Sequence, residues 1–403
     1  MTPFAPNRTR AAAESANHGA RRPLLRLRRS GLVVILVGCV FLVVSCSALL
    51  NRRPHATFSV SREQGVVPLT VTFDASESHD SDGKVTAYIW SFGDGSGGAG
   101  TRITHQYTEP GTYLVRLVVS DDAGSSGSAE REVHVRAAIH YAVVIGIAAY
   151  YYAPCLWYVD DDAYGVRDAL LSSRDWNSEN ITLLLDAQAT TWNLVATLDD
   201  LATADENDLL FLFFSGHGGR VPDDQTAEEQ DGFDEVLYLY DRTYLSDDAL
   251  TQLLDDVPMR RVVVAIDSCF SGGHLGAPTD GVPTADWGAD VLADLRRLHG
   301  VRPLDLDSSG KEIVALTASR EDEYSRETES LEHGIFTYAL LEGMRGAADA
   351  AGDNDGFISA EECYRYAAPR VADLVATIGE QQRPQMLDLC EGELEFLRVP
   401  DSP

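Results

Sequence analysis

Two apolar runs in the carboxyl-terminal part of the chain show how it is built. Leu209-Leu210-Phe211-Leu212-Phe213-Phe214 and Val262-Val263-Val264-Ala265-Ile266 contain no polar residue on either face of the strands they predict. A strand that is apolar on both faces needs cover on both, as in a parallel sheet between layers of helix. Further strands are predicted at Tyr141–Ile147, Ile181–Leu185, Ile313–Thr317 and Leu394–Val399. Between them, apolar residues recur with helical period around Ala163–Leu171, Trp192–Ala202, Ser246–Leu254, Phe336–Met344 and Ala360–Val375. Strand alternating with helix predicts an α/β domain over residues 139–400, with a mostly parallel sheet flanked by helices on both faces.

Upstream the period falls to two. From residue 56 to 136 the chain reads as short strands such as Leu69-Thr70-Val71-Thr72-Phe73 and Tyr113-Leu114-Val115-Arg116-Leu117. Asp94-Gly95-Ser96-Gly97-Gly98 and Glu109-Pro110-Gly111 supply turns between them. This pattern predicts a small β-sandwich, with His105 packed at a strand start. Earlier still, Gly31 to Leu50 holds no charge and is long enough to span a bilayer. Residues 1–30 read as a basic, disordered start, with arginines such as Arg21, Arg22, Arg28 and Arg29 against the single acid Glu14. Basic residues before an apolar span stay cytoplasmic, which exports everything downstream. Residues 31–50 are therefore either a transmembrane anchor or a lipoprotein signal, since Val43-Val44-Ser45-Cys46 resembles the lipobox of bacterial lipoproteins, in which the cysteine is lipidated. Both readings put the body of the protein outside the cytoplasm, held in the cell envelope by residues 31–50 or by a lipid on Cys46.

Composition narrows the function. A chain of 403 residues exceeds one ordinary domain, in line with this division. The net charge of −31 excludes nucleic acid as a partner, because phosphates require a basic footprint. The six cysteines include no Cys-x-x-Cys pair, which argues against structural zinc, and nothing calls for an organic cofactor.

The chemistry sits at the ends of the two apolar runs. One continues into Ser215-Gly216-His217-Gly218-Gly219 and the other into Asp267-Ser268-Cys269-Phe270-Ser271-Gly272. Reacting groups collect at the carboxyl ends of parallel strands, so a thiol and an imidazole are delivered to one edge. A cysteine attacks as thiolate and needs a base or a positive neighbour, a part open to His217, which could instead protonate the departing amine after attack. The amides of Gly218 and Cys269 are candidate donors to an oxyanion. The sequence names no third polar partner for the histidine.

His217 precedes Cys269 by about fifty residues, the interval found in caspases. The two segments resemble the signature segments of caspase-like peptidases, and most of all those of metacaspases and their bacterial relatives, the orthocaspases. The resemblance extends to Tyr141–Ile147, Glu229-Gln230-Asp231-Gly232-Phe233-Asp234-Glu235, Ser246-Asp247-Asp248-Ala249-Leu250 and His333-Gly334-Ile335-Phe336-Thr337-Tyr338-Ala339-Leu340-Leu341. It implies a cysteine endopeptidase with Cys269 as nucleophile and His217 as its acid/base partner. It also implies a substrate pocket of two aspartates that selects Arg or Lys before the cut. Asp267 is one of them, and Asp162 is the better match for the other within Asp160-Asp161-Asp162, where helix capping is the competing role. Asp234, Asp247 and Asp248 match carboxylates that bind calcium in activated metacaspases, so Ca2+ is the expected cofactor. Asp353-Asn354-Asp355-Gly356 with Glu362 imitates an EF-hand loop, but Ala351 stands at its first ligand position, and a turn before a helix from Ser359 is the expected role. Arg296-Arg297, in the long connection after Cys269, would be a self-cleavage site for an Arg-specific enzyme. Trp90-Ser91-Phe92-Gly93-Asp94-Gly95 and Gly111-Thr112-Tyr113-Leu114-Val115 make the upstream sandwich similar to a polycystic-kidney-disease (PKD) domain, a spacer or ligand-binding module of surface proteins. The competing functional reading is a catalytically silent surface protein that holds glycan or protein through this domain.

Overall fold

The computed structural model describes residues 51–222, 233–269, 310–320 and 323–400. The apolar run 31–50 with Cys46, most of the acidic segment after His217, and Arg296-Arg297 lie outside them. Among the described residues no helix is long and apolar enough to cross a membrane.

The first described unit is a sandwich of two sheets. Leu69–Asp74 lies between Ser59–Val60 and Arg102–Tyr107 in one sheet. The other runs Gln64–Val66, Ser126–Arg136, Gly111–Asp121, Val85–Ser91, Gly97–Ala99. Alternation does what it should. Leu69, Val71 and Phe73 face inward against Val115, Leu117 and Val119, while Thr70 is exposed. Trp90 fills the space between the sheets, edge-on to Phe58 at 5.1 Å, and its Nε1 donates to the Gly100 carbonyl at 2.8 Å. His105 stacks on Phe92 at 4.2 Å and meets Asp94 at 2.6 Å, a packing role inside a strand.

The sandwich ends at Arg136, which forms a bidentate pair with Asp208, both bonds 2.8 Å long. Asp208 is fully buried and also accepts from the amides of Ile139 and Asp205. Burial opposes its charge, but these bonds hold its carboxyl below the usual range. Asp208 immediately precedes one of the central strands. The sandwich is thus fastened at the amino-terminal edge of the second domain's sheet, away from the edge that carries His217 and Cys269.

That sheet has six strands: β1 (His140–Gly146), β2 (Ile181–Leu185), β3 (Leu209–Ser215), β4 (Arg261–Asp267), β5 (Glu312–Thr317) and β6 (Gln385–Asp388). Their order is β2-β1-β3-β4-β5-β6, and all pairs are parallel except the last. Successive residues of the apolar runs feed two separate cores. Phe211, Phe213, Val263 and Ala265 pack under α1 (Val159–Ser172), α4 (Ile335–Glu342) and α5 (Ala360–Ile378). Leu210, Leu212, Val262 and Val264 pack under α2 (Thr191–Asp199) and α3 (Asp247–Asp256). Each large apolar side chain so buried contributes roughly 1.5–3 kcal/mol. The middle strands are therefore the most firmly held, and the groups at their tips inherit that rigidity.

Two elements differ from expectation. The predicted strand near the carboxyl terminus exists as Glu395–Arg398, but it pairs with Phe357–Ser359 in a separate ribbon. Its apolarity comes from packing Phe396 and Leu397 into the core beneath the helices. The sixth place belongs to Gln385–Asp388, an edge strand of mixed polarity and without a buried residue, which gives period-based reading nothing to detect. A small antiparallel sheet, Gly218–Pro222 with Phe233–Tyr238 and Tyr244–Ser246, also follows the histidine.

Candidate active site

The strand register sets the geometry. Gly146, Ser215 and Asp267 lie side by side at the carboxyl ends of β1, β3 and β4. A side chain on Gly146 would meet the Ala163 Cβ at 2.9 Å and the Val159 carbonyl at 3.0 Å. Glycine there lets the first turn of α1 lie close over the strand tips, and that turn carries Asp162. Asp162 is 1 % exposed and accepts from the Ser215 hydroxyl at 3.0 Å, whereas Asp160 and Asp161 face solvent. It is not a cap, since α1 begins after Tyr158 with no side-chain cap.

Asp267 is the second buried carboxylate, 5 % exposed. Its Oδ1 accepts from the Ser325 hydroxyl, and its Oδ2 from the amide and hydroxyl of Thr337 at 3.0 and 2.6 Å. Gly334 separates the two acids. A Cβ on it would lie 2.4 Å from Asp267 Oδ2 and 3.1 Å from Asp162 Oδ2, and its own amide donates to Asp162 at 3.1 Å. Burial pushes both carboxyls up, Asp162 to about 7, and the nearby Asp267 charge adds to the rise at Asp162. Glu327 lines the same cleft and accepts from the amides of Trp157 and Tyr158 just ahead of α1.

The thiol and the imidazole stand at the rim. Cys269 is partly buried, and its Sγ lies 3.9 Å from the Ser325 carbonyl. Burial pushes this thiol up, and the Asp267 charge acts in the same direction, so at rest it is protonated. His217 is fixed from three sides. Its Nε2 lies 2.8 Å from the Pro154 carbonyl, its amide donates to the Tyr150 hydroxyl at 3.0 Å, and its carbonyl accepts from the Tyr238 amide at 3.0 Å. A carbonyl only accepts, so Nε2 carries a proton, and in the neutral ring the lone pair is on Nδ1. The Pro154 carbonyl is the third partner that the sequence did not name. Being backbone, it leaves no side-chain signal. The Tyr150 hydroxyl donates onward to the Tyr238 carbonyl at 3.0 Å, and its ring lies 4.7 Å from the imidazole.

The two loops touch. The Gly216 amide donates to the Asp267 carbonyl at 3.2 Å, and a Cβ on Gly218 would fall 2.3 Å from the Cys269 carbonyl oxygen. The cleft between them is lined by His217, Cys269, Asp162 and Asp267 together. Such a cleft suits a cationic side chain whose backbone lies at the rim beside the thiol.

The residues matched to calcium ligands are elsewhere. Asp247 and Asp248 form the first turn of α3, and the pairing of Val236 with Ser246 carries residue 234 to the head of that helix. The side chain of Asp234 lies outside the described residues. The EF-hand-like segment does lead into a helix, where Ser359 and Glu362 form a capping box. Asp349, Asp353 and Asp355 nevertheless converge, with carboxylate oxygens within 4.8 Å of one another. Asp349 comes from the preceding helical turn, which linear spacing misses. The cysteines Cys155, Cys363 and Cys390 are free thiols, and Cys363 is buried in the core.

A family model described as the caspase domain matches residues 139–390, more than half of the chain, and one described as the PKD domain matches residues 51–136. Metacaspase-4 of Arabidopsis thaliana is 35 % identical over 122 residues, which are 28 % of this chain and 29 % of that protein. Metacaspase-1 of Eremothecium gossypii is 32 % identical over 185 residues, 43 % of this chain and 38 % of that protein. The matched stretches thus span less than two-fifths of these relatives. The crystal structure of the PKD1 domain of Vibrio anguillarum Epp is 32 % identical, covers 22 % of this chain and 98 % of that one, and superposes with a TM-score of 0.20.

Proposed function

The chain belongs to the caspase-domain family, and from that membership we propose that it is a cysteine endopeptidase cutting after arginine or lysine. The observation that carries the specificity is the buried acid pair, Asp162 and Asp267, beside Gly334 and in the same cleft as the thiol. Two neighbouring buried carboxylates are unfavourable until a cation enters, and a guanidinium or ammonium group satisfies both.

In this reading His217 Nδ1 takes the Cys269 proton as the thiolate attacks the carbonyl carbon of the basic residue. The amides of Gly218 and Cys269 receive the developing oxyanion. The imidazolium then gives its proton to the departing amine, leaving a thioester. Water, deprotonated by His217, attacks that thioester, releases the acid and restores the thiol. The Pro154 carbonyl holds the imidazole in the tautomer this requires and stabilises its charged form.

Calcium belongs to the same proposal. Asp234, Asp247 and Asp248 would hold it with hard carboxylate oxygens at the head of α3, bracing the small sheet that begins at Gly218. The sandwich acts as a spacer from a membrane tether at residues 31–50 or Cys46. Cleavage after Arg296 or Arg297 would process the connection that follows Cys269.

The test is hydrolysis of fluorogenic peptides ending in Arg, Lys or Asp, with and without calcium, by the full-length chain and its Cys269→Ala variant. Cleavage of the Arg and Lys peptides by the parent alone is expected. Equal signals from both proteins refute the peptidase reading, and preference for the Asp peptide refutes the pocket.

A further inference from the structure

His333 stands beside the acid pair but touches only one member of it. Its Nδ1 lies 2.9 Å from Asp162 Oδ1. Among the described residues it is the one basic side chain within hydrogen-bond distance of Asp162. Asp267, by contrast, is met by the neutral donors Ser325 and Thr337. The position of His333 is built in. It belongs to a short antiparallel bridge, Glu327–Thr328 with His333–Gly334, whose Glu327 carboxylate holds the amides ahead of α1. Gly165 makes room for the ring, since a Cβ there would lie 3.3 Å from His333 Cε1.

We propose that His333 is a positioning and specificity-determining residue that, through its contact with Asp162, orients that carboxyl and favours its charged form, so that a guanidinium or ammonium group meets a better partner. This rests on the basic-residue pocket proposed above. Burial and the neighbouring Asp267 both drive Asp162 toward its protonated form, while the bond and charge of His333 oppose them. The opposing effects leave its carboxyl near neutrality, at about 7. Without His333 the carboxyl would hold its proton through neutral pH and select a cation poorly.

The other groups facing this site do not replace His333. Asp267 from β4 and Glu327 from the bridge are acids. Arg326, in the cleft wall, is engaged by Glu380 at 3.0 Å. His217 and Cys269 line the same cleft but are not bonded to Asp162, and the Tyr338 ring of α4 lies 6.3 Å from the His333 ring. Asp160 and Asp161 on α1 face solvent.

His333→Asn is the informative variant, because an asparagine amide nitrogen replaces Nδ1 as a donor but carries no charge. Agmatine, a guanidinium probe, is titrated calorimetrically into the full-length Cys269→Ala chain with and without His333→Asn from pH 6 to pH 9. The expected result is about fivefold weaker binding in the His333 variant at pH 7, because a rise of one unit from about 7 leaves about one-tenth of Asp162 ionised in place of about half, with the difference gone by pH 9. Superimposable curves overturn the inference. So does a deficit that persists at pH 9, which marks a merely structural role.

If neither protein binds agmatine, the basic pocket fails, and thermal unfolding decides on His333. The folded state keeps the Asp162 proton to about pH 7, whereas the unfolded chain loses it near pH 3.9. Stability from this group is complete below the lower value and lost as pH rises through the upper one. His333→Asn must move the upper end of that fall to higher pH, and Asp162→Asn must remove the share of it that Asp162 contributes. Identical profiles for His333→Asn and its parent overturn the inference.

Discussion

Replacing Gly334 by alanine adds one carbon at the point where the two pocket acids meet. The glycine has φ −57° and ψ 139°, values open to any residue, so the backbone offers no objection. Space does. The new Cβ would lie 2.4 Å from Asp267 Oδ2, about 1 Å short of ordinary contact, and 3.1 Å from Asp162 Oδ2. Asp267 cannot simply turn away, since its carboxylate is held by Ser325 and twice by Thr337. Giving up one hydrogen bond to a charged group costs about 1.5–3 kcal/mol, and overpacking a core position costs about 1–3 kcal/mol. The variant should fold, with a melting temperature lower by a few degrees. A displacement of about 1 Å in a positioning group costs on the order of 100-fold in catalysis. The assay is hydrolysis of an arginyl fluorogenic peptide, together with the alkylation rate of Cys269 by iodoacetamide. We expect kcat/KM to fall about 100-fold, mainly through KM, with alkylation unchanged. Unchanged kcat/KM would refute the assignment of these acids to substrate binding. A parallel loss of thiol reactivity would show that the change had disturbed the whole strand edge.

Other expectations follow from the same contacts. Tyr150→Phe removes the acceptor for the His217 amide and the donor to the Tyr238 carbonyl, about 1 kcal/mol each, so kcat should fall about tenfold with KM unchanged; equal kcat in steady-state kinetics would exclude this positioning role. Burial and the Asp267 charge hold the Cys269 proton, so alkylation by iodoacetamide should accelerate as pH rises through the thiol range. Asp267→Asn should make alkylation faster at pH 8 while lowering hydrolysis of arginyl peptides, and slower alkylation would contradict the electrostatics described here. Arg136→Ala leaves the buried Asp208 with amide donors alone, and about 1–3 kcal/mol of local stability should be lost. Limited proteolysis should then cut between the sandwich and the caspase domain, and a junction as resistant as the parent's would count against a clamp.

The pocket also illustrates how one feature serves two purposes. In the proposed reading Asp267 ends the strand that carries the nucleophile, and its charge would both discourage the free thiolate and provide an anion for a basic side chain. In the proposed reaction, entry of that side chain compensates the Asp267 charge and lowers the cost of forming the thiolate. Substrate recognition and activation of the nucleophile are then linked through a single carboxylate.

Much of this molecule could be read along the chain. The apolar runs over β3 and β4 require cover on both faces and so determine a buried parallel sheet, with His217 and Cys269 at its carboxyl edge. Period-two alternation likewise determined the upstream sandwich. These are local properties, carried by the spacing of neighbouring residues. What the fold decided lies between residues far apart. The Pro154 carbonyl meets His217 across 63 positions, Thr337 meets Asp267 across 70, and His333 meets Asp162 across 171. Helix capping competes with the pocket role of Asp162 until the close approach at Gly146 lays α1 over the strand tips and buries it. The edge strand Gln385–Asp388, of mixed polarity, and the convergence of Asp349 from the preceding helical turn with Asp353 and Asp355 left no period to read. Side-chain periodicity records which face of an element is buried, whereas only the packed chain determines which distant groups share that burial and what charge each of them keeps.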